Sequence, residues 1–183
     1  MTIQISGTKG HGIAEVSLNQ RLNVSSRAAS RAYYVSRDDG TCYTWTSSWS
    51  ADTGKEVFYL KNTSKTLLLL IDEIVVSSVL TGLFEVFTTT DTAAGTTVTG
   101  KSTNVTRRIA ADATALGNAE VTGVTPAIAD RIYLARTAAT GRAVIDVKDE
   151  LILGQDDAIV VRYTGSTGIQ DVQITGFFEH EDA

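Results

Sequence analysis

Two apolar runs on either side of a polar tetrapeptide form the strongest pattern in the chain. The first run covers residues 57–60, the polar stretch covers residues 62–65, and the second, mostly apolar run covers residues 67–76 without glycine or proline. Such runs around a polar turn predict two β-strands joined as a tight hairpin. Residues 67–71 are all apolar and leave no polar face, so we expect the second strand in the middle of a packed sheet.

Further strand-like runs are separated by short polar turns, and they are concentrated near the C-terminus. They lie at residues 83–88, 143–147, 151–153, 158–163 and 171–179. Strands at this regular spacing are typical of all-β sandwiches. Gly176 interrupts the last run and predicts a bulge. With six to ten strands in total, the pattern predicts an all-β fold, a jelly-roll antiparallel β-sandwich.

Two segments are open to more than one interpretation. Residues 109–117 are rich in alanine and could be helical, but they lack an apolar stripe, which favours irregular or extended structure. A short helix could follow Pro126, with Ile128 and Ile132 one turn apart. Residues 132–135 could equally form a strand, and this is the interpretation that we favour.

The first fifty residues differ from the rest of the chain. Their apolar runs are short, and they contain five basic and three acidic residues, so they carry +2. Because the whole chain carries −5, the remaining residues carry −7. This asymmetry predicts an extended N-terminal arm at residues 1–50, lying on an acidic neighbouring surface, and a sandwich domain at residues 51–183. An alternative is that the segment lies along its own domain.

Four arginines and two tryptophans of the arm are the candidate contacts with a neighbouring subunit or another protein surface. They are Arg21, Arg27, Arg31, Arg37, Trp45 and Trp49. Tryptophan is costly to expose, so we expect one of the two indoles to anchor the arm to the sandwich.

Composition narrows the class of protein. A chain of 183 residues with 43% hydrophobic content can bury a substantial core. Its net charge of −5 argues against a nucleic-acid partner. The single cysteine, Cys42, leaves no internal disulfide and is interpreted as a small strand residue. No stretch approaches the roughly 18 apolar residues that span a membrane, and no apolar leader is visible, which predicts synthesis in a cytoplasm.

One segment matches a catalytic motif. Residues 95–102 fit G-x-x-x-x-G-K-[ST], the phosphate-binding loop, which requires a preceding buried strand and a following helix. The loop is β-branched here, and no clear helix begins after Ser102. The two histidines, His11 and His180, lie near opposite ends of the chain. These patterns predict no enzyme activity, no cofactor and no metal.

Several strand and turn phrases occur in a particular order along the chain. They are RDDG at residues 37–40, TWT at 44–46, FYLKNT at 58–63, LLIDEI at 69–74, LILGQDDAI at 151–159 and FFE at 177–179. Together they resemble virion proteins of tailed bacteriophages. The resemblance implies a basic, extended N-terminal region before a jelly roll, in a homotrimeric decoration, or cement, protein on the capsid surface. Its partner would be the major capsid protein, and it would stabilise the head after synthesis in the host cytoplasm.

Two other functions stay open. A phage tail or fibre sandwich that binds a receptor or a glycan would expose aromatic residues in one concave patch, drawn from Tyr33, Tyr34, Trp45 and Trp49. An enzyme would use residues 95–102 to hydrolyse a nucleotide.

Overall fold

The computed structural model describes residues 4–7, 10–16, 22–24, 41–104, 106 and 109–180. The chain divides into two compact units, Met1–Ser30 and Arg31–Ala183. In the first unit, β1 (Gln4–Gly7), β2 (Gly10–Val16) and β3 (Leu22–Val24) form an antiparallel sheet in the order β1-β2-β3.

The described residues of the second unit form eleven strands in two antiparallel sheets. The strands are β4 (Cys42–Ala51), β5 (Lys55–Asn62), β6 (Leu67–Ser78), β7 (Gly82–Thr89), β8 (Ala94–Thr97), β9 (Lys101–Ser102), β10 (Ala113–Thr122), β11 (Arg131–Thr137), β12 (Gly141–Leu153), β13 (Ala158–Gly165) and β14 (Gly168–His180). Sheet 1 has the order β12-β6-β14-β4-β9, and sheet 2 has the order β11-β7-β13-β5-β10-β8. A 3-10 turn, Ile128–Asp130, precedes β11.

The two sheets form a sandwich, so the predicted all-β class and antiparallel sandwich are confirmed. The chain passes between the sheets at almost every connection. As a result, four strands of sheet 1 lie in the order β4-β14-β6-β12, and four strands of sheet 2 lie in the order β5-β13-β7-β11. These two orders are the ones expected for the predicted jelly roll. Strands β8 to β10 are inserted between β7 and β11 and extend both sheets beyond β4 and β5.

The second apolar run forms the central strand of sheet 1, as predicted. β6 lies between β12 and β14. Its inward residues are fully buried against sheet 2: Leu69, Ile71, Ile74 and Val76. The change from odd to even positions follows from a register shift at Asp72, the extra residue of β6 between the pairs Ile71–Gly176 and Glu73–Thr175. The bulge therefore lies in β6, opposite Gly176, and not in the last strand as predicted, because β14 pairs with β4 without a shift.

The predicted hairpin is wrong, because β5 and β6 belong to different sheets. The fully buried Asn62 side chain turns the chain between them. Its Nδ2 donates to the carbonyl oxygens of Leu67 and Leu153, both at 2.9 Å, and its Oδ1 accepts from the Ser64 amide at 2.9 Å. A polar tetrapeptide fits either a hairpin or a crossing between sheets, so the pattern predicted both strands but not their partners.

Two other boundaries differ from the predicted ones. Residues 141–153 form the single strand β12, and the expected turn at residues 148–150 is a wide bulge between Asp146, opposite Glu73, and Leu151, opposite Ile71. At the other end of the fold, β4 pairs with β14 along its length. Residues 42–50 therefore belong to the sandwich rather than to the arm.

The two ambiguous segments are extended. Residues 113–117 begin β10, and residues 132–135 lie in β11, which is the interpretation favoured from the sequence. Helical structure after Pro126 is limited to the 3-10 turn Ile128–Asp130.

We predict that Asn62→Ala lowers the free energy of unfolding by about 3 kcal/mol, because three hydrogen bonds disappear and buried backbone groups lose their partners. Urea denaturation measures the change as a lower midpoint with an unchanged slope. Asn118→Ala is the matched control. The Asn118 side chain only accepts a hydrogen bond from the adjacent Ala119 amide, so its loss should cost less than about 1 kcal/mol. Equal effects of the two substitutions would contradict the role given to Asn62.

Candidate functional site

Both predicted contact tryptophans point into the sandwich. Trp45 is fully buried on β4, with its ring 5.9 Å from that of Tyr43. The Trp49 side chain is half-buried, and its Nε1 is buried without a hydrogen-bond partner. The indoles therefore hold β4 against the core. A fully buried Trp45 offers no surface to a capsid or to a glycan.

The four predicted contact arginines, Arg21, Arg27, Arg31 and Arg37, lie outside the described residues, as do Tyr33 and Tyr34. Their role in binding a partner stays a prediction.

The segment that matches a phosphate-binding loop connects the two sheets. Its first part belongs to β8 in sheet 2, and Lys101 and Ser102 form β9 beside Thr44 and Tyr43 in sheet 1. No α-helix follows Ser102 in the part of the chain that the structure describes. The segment therefore lacks the ring of amides and the helix dipole that hold a phosphate in such loops.

The second glycine of this motif, Gly100, is required by the packing of a core side chain. A Cβ atom on Gly100 would lie 2.6 Å from Trp45 Nε1 and 3.3 Å from the Ala111 Cβ. Gly117 has the same relation to the other indole, since a Cβ there would lie 2.9 Å from Trp49 Nε1. Glycine at residue 100 lets the chain close over a core tryptophan, and the exposed Lys101 follows it as part of an edge strand.

An open groove of about 570 Å³ lies where β7, β12 and β13 meet. Its polar lining includes threonines and the carboxylates of Asp91, Asp130 and Asp157. Asp157 accepts a hydrogen bond from the Gly154 amide at 3.0 Å and Asp91 one from the Thr125 amide at 3.4 Å, so these carboxylates hold loops. Among the described residues, no group of three or more His, Cys, Asp or Glu side chains could hold a metal ion.

An ion pair on the outer face of sheet 2 was not predicted from the sequence. Arg162 donates to Glu56 Oε1 from Nε at 2.9 Å and from Nη2 at 2.7 Å, and its guanidinium lies 4.9 Å from the centre of the Phe87 ring. A second apolar cluster, which contains Phe87 and Tyr59, lies on the same face. The Tyr59 hydroxyl donates to the Asp91 carbonyl at 2.8 Å, which ties the segment after β7 to this face. Arg162 and Glu56 are 106 residues apart, and no local pattern marks such a pair.

Cys42 begins β4 and is buried beside Leu70 and Phe177. Burial raises the pKa of its thiol, a hydrogen bond with Thr103 partly opposes this rise, and the nearby Asp72 carboxylate adds a smaller increase. The position agrees with a small strand residue. A raised pKa and a buried sulfur are the opposite of what a reactive cysteine requires.

Exposed aliphatic side chains gather along one edge of the sandwich. Five of the nine exposed large hydrophobic residues in the described part of the chain lie on β11, on β12 or in the turn before β11. We call this set the aliphatic edge: Ile128, Ile132, Leu134, Val144 and Ile152. The sequence contains one sign of it, since residues 132–135 are apolar on both faces of a strand that ends a sheet.

Comparison of the chain with protein-family models, curated proteins and solved structures finds no match. In the described residues, no helix is long and apolar enough to cross a membrane.

We predict that Gly100→Ala destabilises the fold by about 1 to 3 kcal/mol, because the new methyl group must displace the fully buried Trp45 indole. Thermal and urea unfolding measure the loss. Gly95→Ala is the matched control, since a Cβ at residue 95 meets its nearest neighbour at an ordinary 3.4 Å. Lys101→Ala, at an exposed position, should stay within about 0.5 kcal/mol of the unchanged protein. A Gly100→Ala protein as stable as the Gly95→Ala protein would refute the packing role.

We also predict that the Cys42 thiol of the folded protein reacts very slowly with a thiol-specific chromophoric disulfide at pH 8, because burial both raises its pKa and blocks access. The same protein in concentrated urea should react at the rate of a free thiol. Rapid labelling without urea would show that β4 opens at its first residue.

Proposed function

We propose that the protein is a virion structural protein that decorates a bacteriophage capsid, binds the outer surface of the major capsid lattice and stabilises the head. The proposal is supported by the side chains that fill the sandwich and by the structural role of its one apparent nucleotide-binding motif. Its interior is filled by apolar side chains, and its single nucleotide-binding motif serves to pack Trp45. A domain of this kind presents surfaces for adhesion to other proteins.

The strand phrases that resemble phage virion proteins lie in the framework of the sandwich. Residues 44–46 are in β4, residues 58–62 in β5 and residues 69–74 in β6, all in contact with the core. The resemblance is therefore to the body of the fold. Binding to the capsid is assigned to the basic first forty residues and to the surface of the sandwich.

The proposed mechanism is multivalent binding. A basic N-terminal segment follows the junction between neighbouring capsid subunits, while the sandwich rests on one of them. Once one contact has formed, the others become intramolecular, so weak contacts add up to strong retention on the shell. A decorated shell resists expansion or rupture because several subunits must be released together.

The receptor- or glycan-binding alternative has less support. It requires exposed aromatic side chains in a concave patch, but Trp45 is fully buried and the described groove is lined by threonine, aspartate and aliphatic residues.

We predict that the full-length protein co-sediments with expanded, undecorated heads of the phage whose genome encodes it. A variant with Arg21→Gln, Arg27→Gln, Arg31→Gln and Arg37→Gln should bind about tenfold more weakly or worse, because four charge contacts are lost. Binding is measured by gradient centrifugation at several protein concentrations.

The matched control removes four positive charges from the sandwich surface by Lys55→Gln, Lys65→Gln, Lys101→Gln and Arg136→Gln. It changes the net charge equally and should weaken binding less than the arginine variant, because the charge contacts are assigned to the N-terminal segment. Failure of the unchanged protein to sediment with the heads would reject the decoration role. Equal losses in both variants would show that net charge, and not the arm, governs attachment.

A further inference from the structure

The aliphatic edge is formed by two strands that each end a sheet. β11 is the last strand of sheet 2 and β12 the last strand of sheet 1, and residues 138–140 connect them across the sandwich. An edge strand leaves a row of backbone donors and acceptors without partners in its sheet, and proteins usually protect such a row with charge, distortion or a covering element. Here the side chains beside the row include Leu134 and Val144, which are 46% and 49% exposed.

The first six residues of β12 form a regular, undistorted edge. They pair one-to-one with β6, from Gly141 opposite Ser78 to Asp146 opposite Glu73, and the wide bulge begins only after Asp146. Ala143 and Ile145 pack inward against the core, whereas Arg142, Val144 and Asp146 are exposed on the outer face. Along the outer face of β12, the exposed side chains are therefore positive at residue 142, apolar at residue 144 and negative at residue 146.

We propose that β12 pairs with β12 of a second copy of this chain, antiparallel and centred on Val144. A two-fold axis through Val144 brings the two Val144 side chains together and sets Arg142 of each copy opposite Asp146 of the other. Opposite charges in such cross-strand pairs stabilise a sheet, and apolar pairs do so as well. The same surface serves both copies, as a two-fold interface requires.

The second copy is favoured over an unrelated strand because the charge order complements itself. When the second β12 is antiparallel, Arg142 of each copy lies opposite Asp146 of the other. When the second β12 is parallel and in register, each charge lies opposite the same charge of the other copy. The pairing also covers the neighbouring strand, since a two-fold axis perpendicular to the sheets brings β11 beside β11 of the other copy. Ile132 and Leu134, exposed in the single chain, then lie at the junction.

The other edge of the sandwich supports the assignment by contrast. It is formed by β8, with the sequence AGTT, and by the two-residue strand β9. The strands β8 and β9 carry no exposed large hydrophobic residue, and the connection that follows β9 carries one, Ile109. Exposed apolar side chains that cluster at one edge of a domain are typical of an interaction surface.

Sedimentation velocity of the full-length protein over a range of concentrations tests the proposal, which does not depend on the capsid proposal. We expect a reversible dimer with a dissociation constant near the micromolar range, as suits a small interface. Val144→Lys places like charges on the axis and should leave a monomer. Thr46→Lys, an exposed position on the outer face of β4 in the same sheet, is the matched control and should leave the dimer intact.

A charge exchange tests the register. Arg142→Asp alone and Asp146→Arg alone each create two like-charge pairs and should weaken the dimer about tenfold or more. The double variant restores opposite charges across the axis and should recover most of the affinity. Thermal unfolding of every variant confirms that the fold is retained.

A monomer at all concentrations overturns the proposal, and so does a trimer, the assembly that the phage resemblance implies. A dimer that Val144→Lys leaves intact, or a double variant weaker than both single variants, overturns the register and the surface together.

Discussion

The buried side chain of Asn62 holds one end of the sandwich together. It lies at the end of a sheet 2 strand and binds the carbonyl oxygens of Leu67 and Leu153, which belong to two strands of sheet 1. The Asn62 amide donates to the Asp157 carbonyl, and its own carbonyl accepts from the Asp156 amide. Two crossings between the sheets, β5 to β6 and β12 to β13, thus share one buried residue. Since unpaired buried amides are costly, the closure of the sandwich depends on this network.

Beyond this end of the fold, the burial of apolar side chains stabilises the sandwich. Residues 69–76 of β6 lie between two strands of their own sheet and beneath the other sheet, and the outer face of sheet 2 has a second apolar layer under the segment that follows β7. The inserted residues between β7 and β11 close this layer and bring Gly100 over Trp45. The insertion that contains the apparent phosphate motif is thereby a structural cover for the sandwich.

The sequence was most informative where burial alone decides the structure. The five apolar residues 67–71 indicated a central strand, because this feature depends only on the strand that contains them. Gly176 indicated a bulge in the last strand, whereas the extra residue lies opposite it in β6. Pairing partners were not predictable: the polar residues after Asn62 fit a hairpin as well as a crossing, and a crossing depends on the distant Leu153 carbonyl. One of the two indoles was expected to anchor to the sandwich, but the sequence did not show which one, since the burial of Trp45 is completed by Gly100, which is far along the chain. For the candidate site, the sequence identified the composition of the arm but not the aliphatic edge, which exists only once β11 and β12 each end a sheet.

The shortness of the strands at the opposite edge limits how the molecule can grow. β9 contributes two residues and β8 four, and the exposed side chains there are small or polar. An edge so brief cannot template another chain, because too few backbone groups are aligned to repay the ordering of an incoming segment. A sandwich with one long edge strand and one short edge can pair with a second copy at the long edge, and its short edge does not add a further copy. Even at high concentration, the described edges of the sandwich therefore do not support end-to-end polymerisation into filaments.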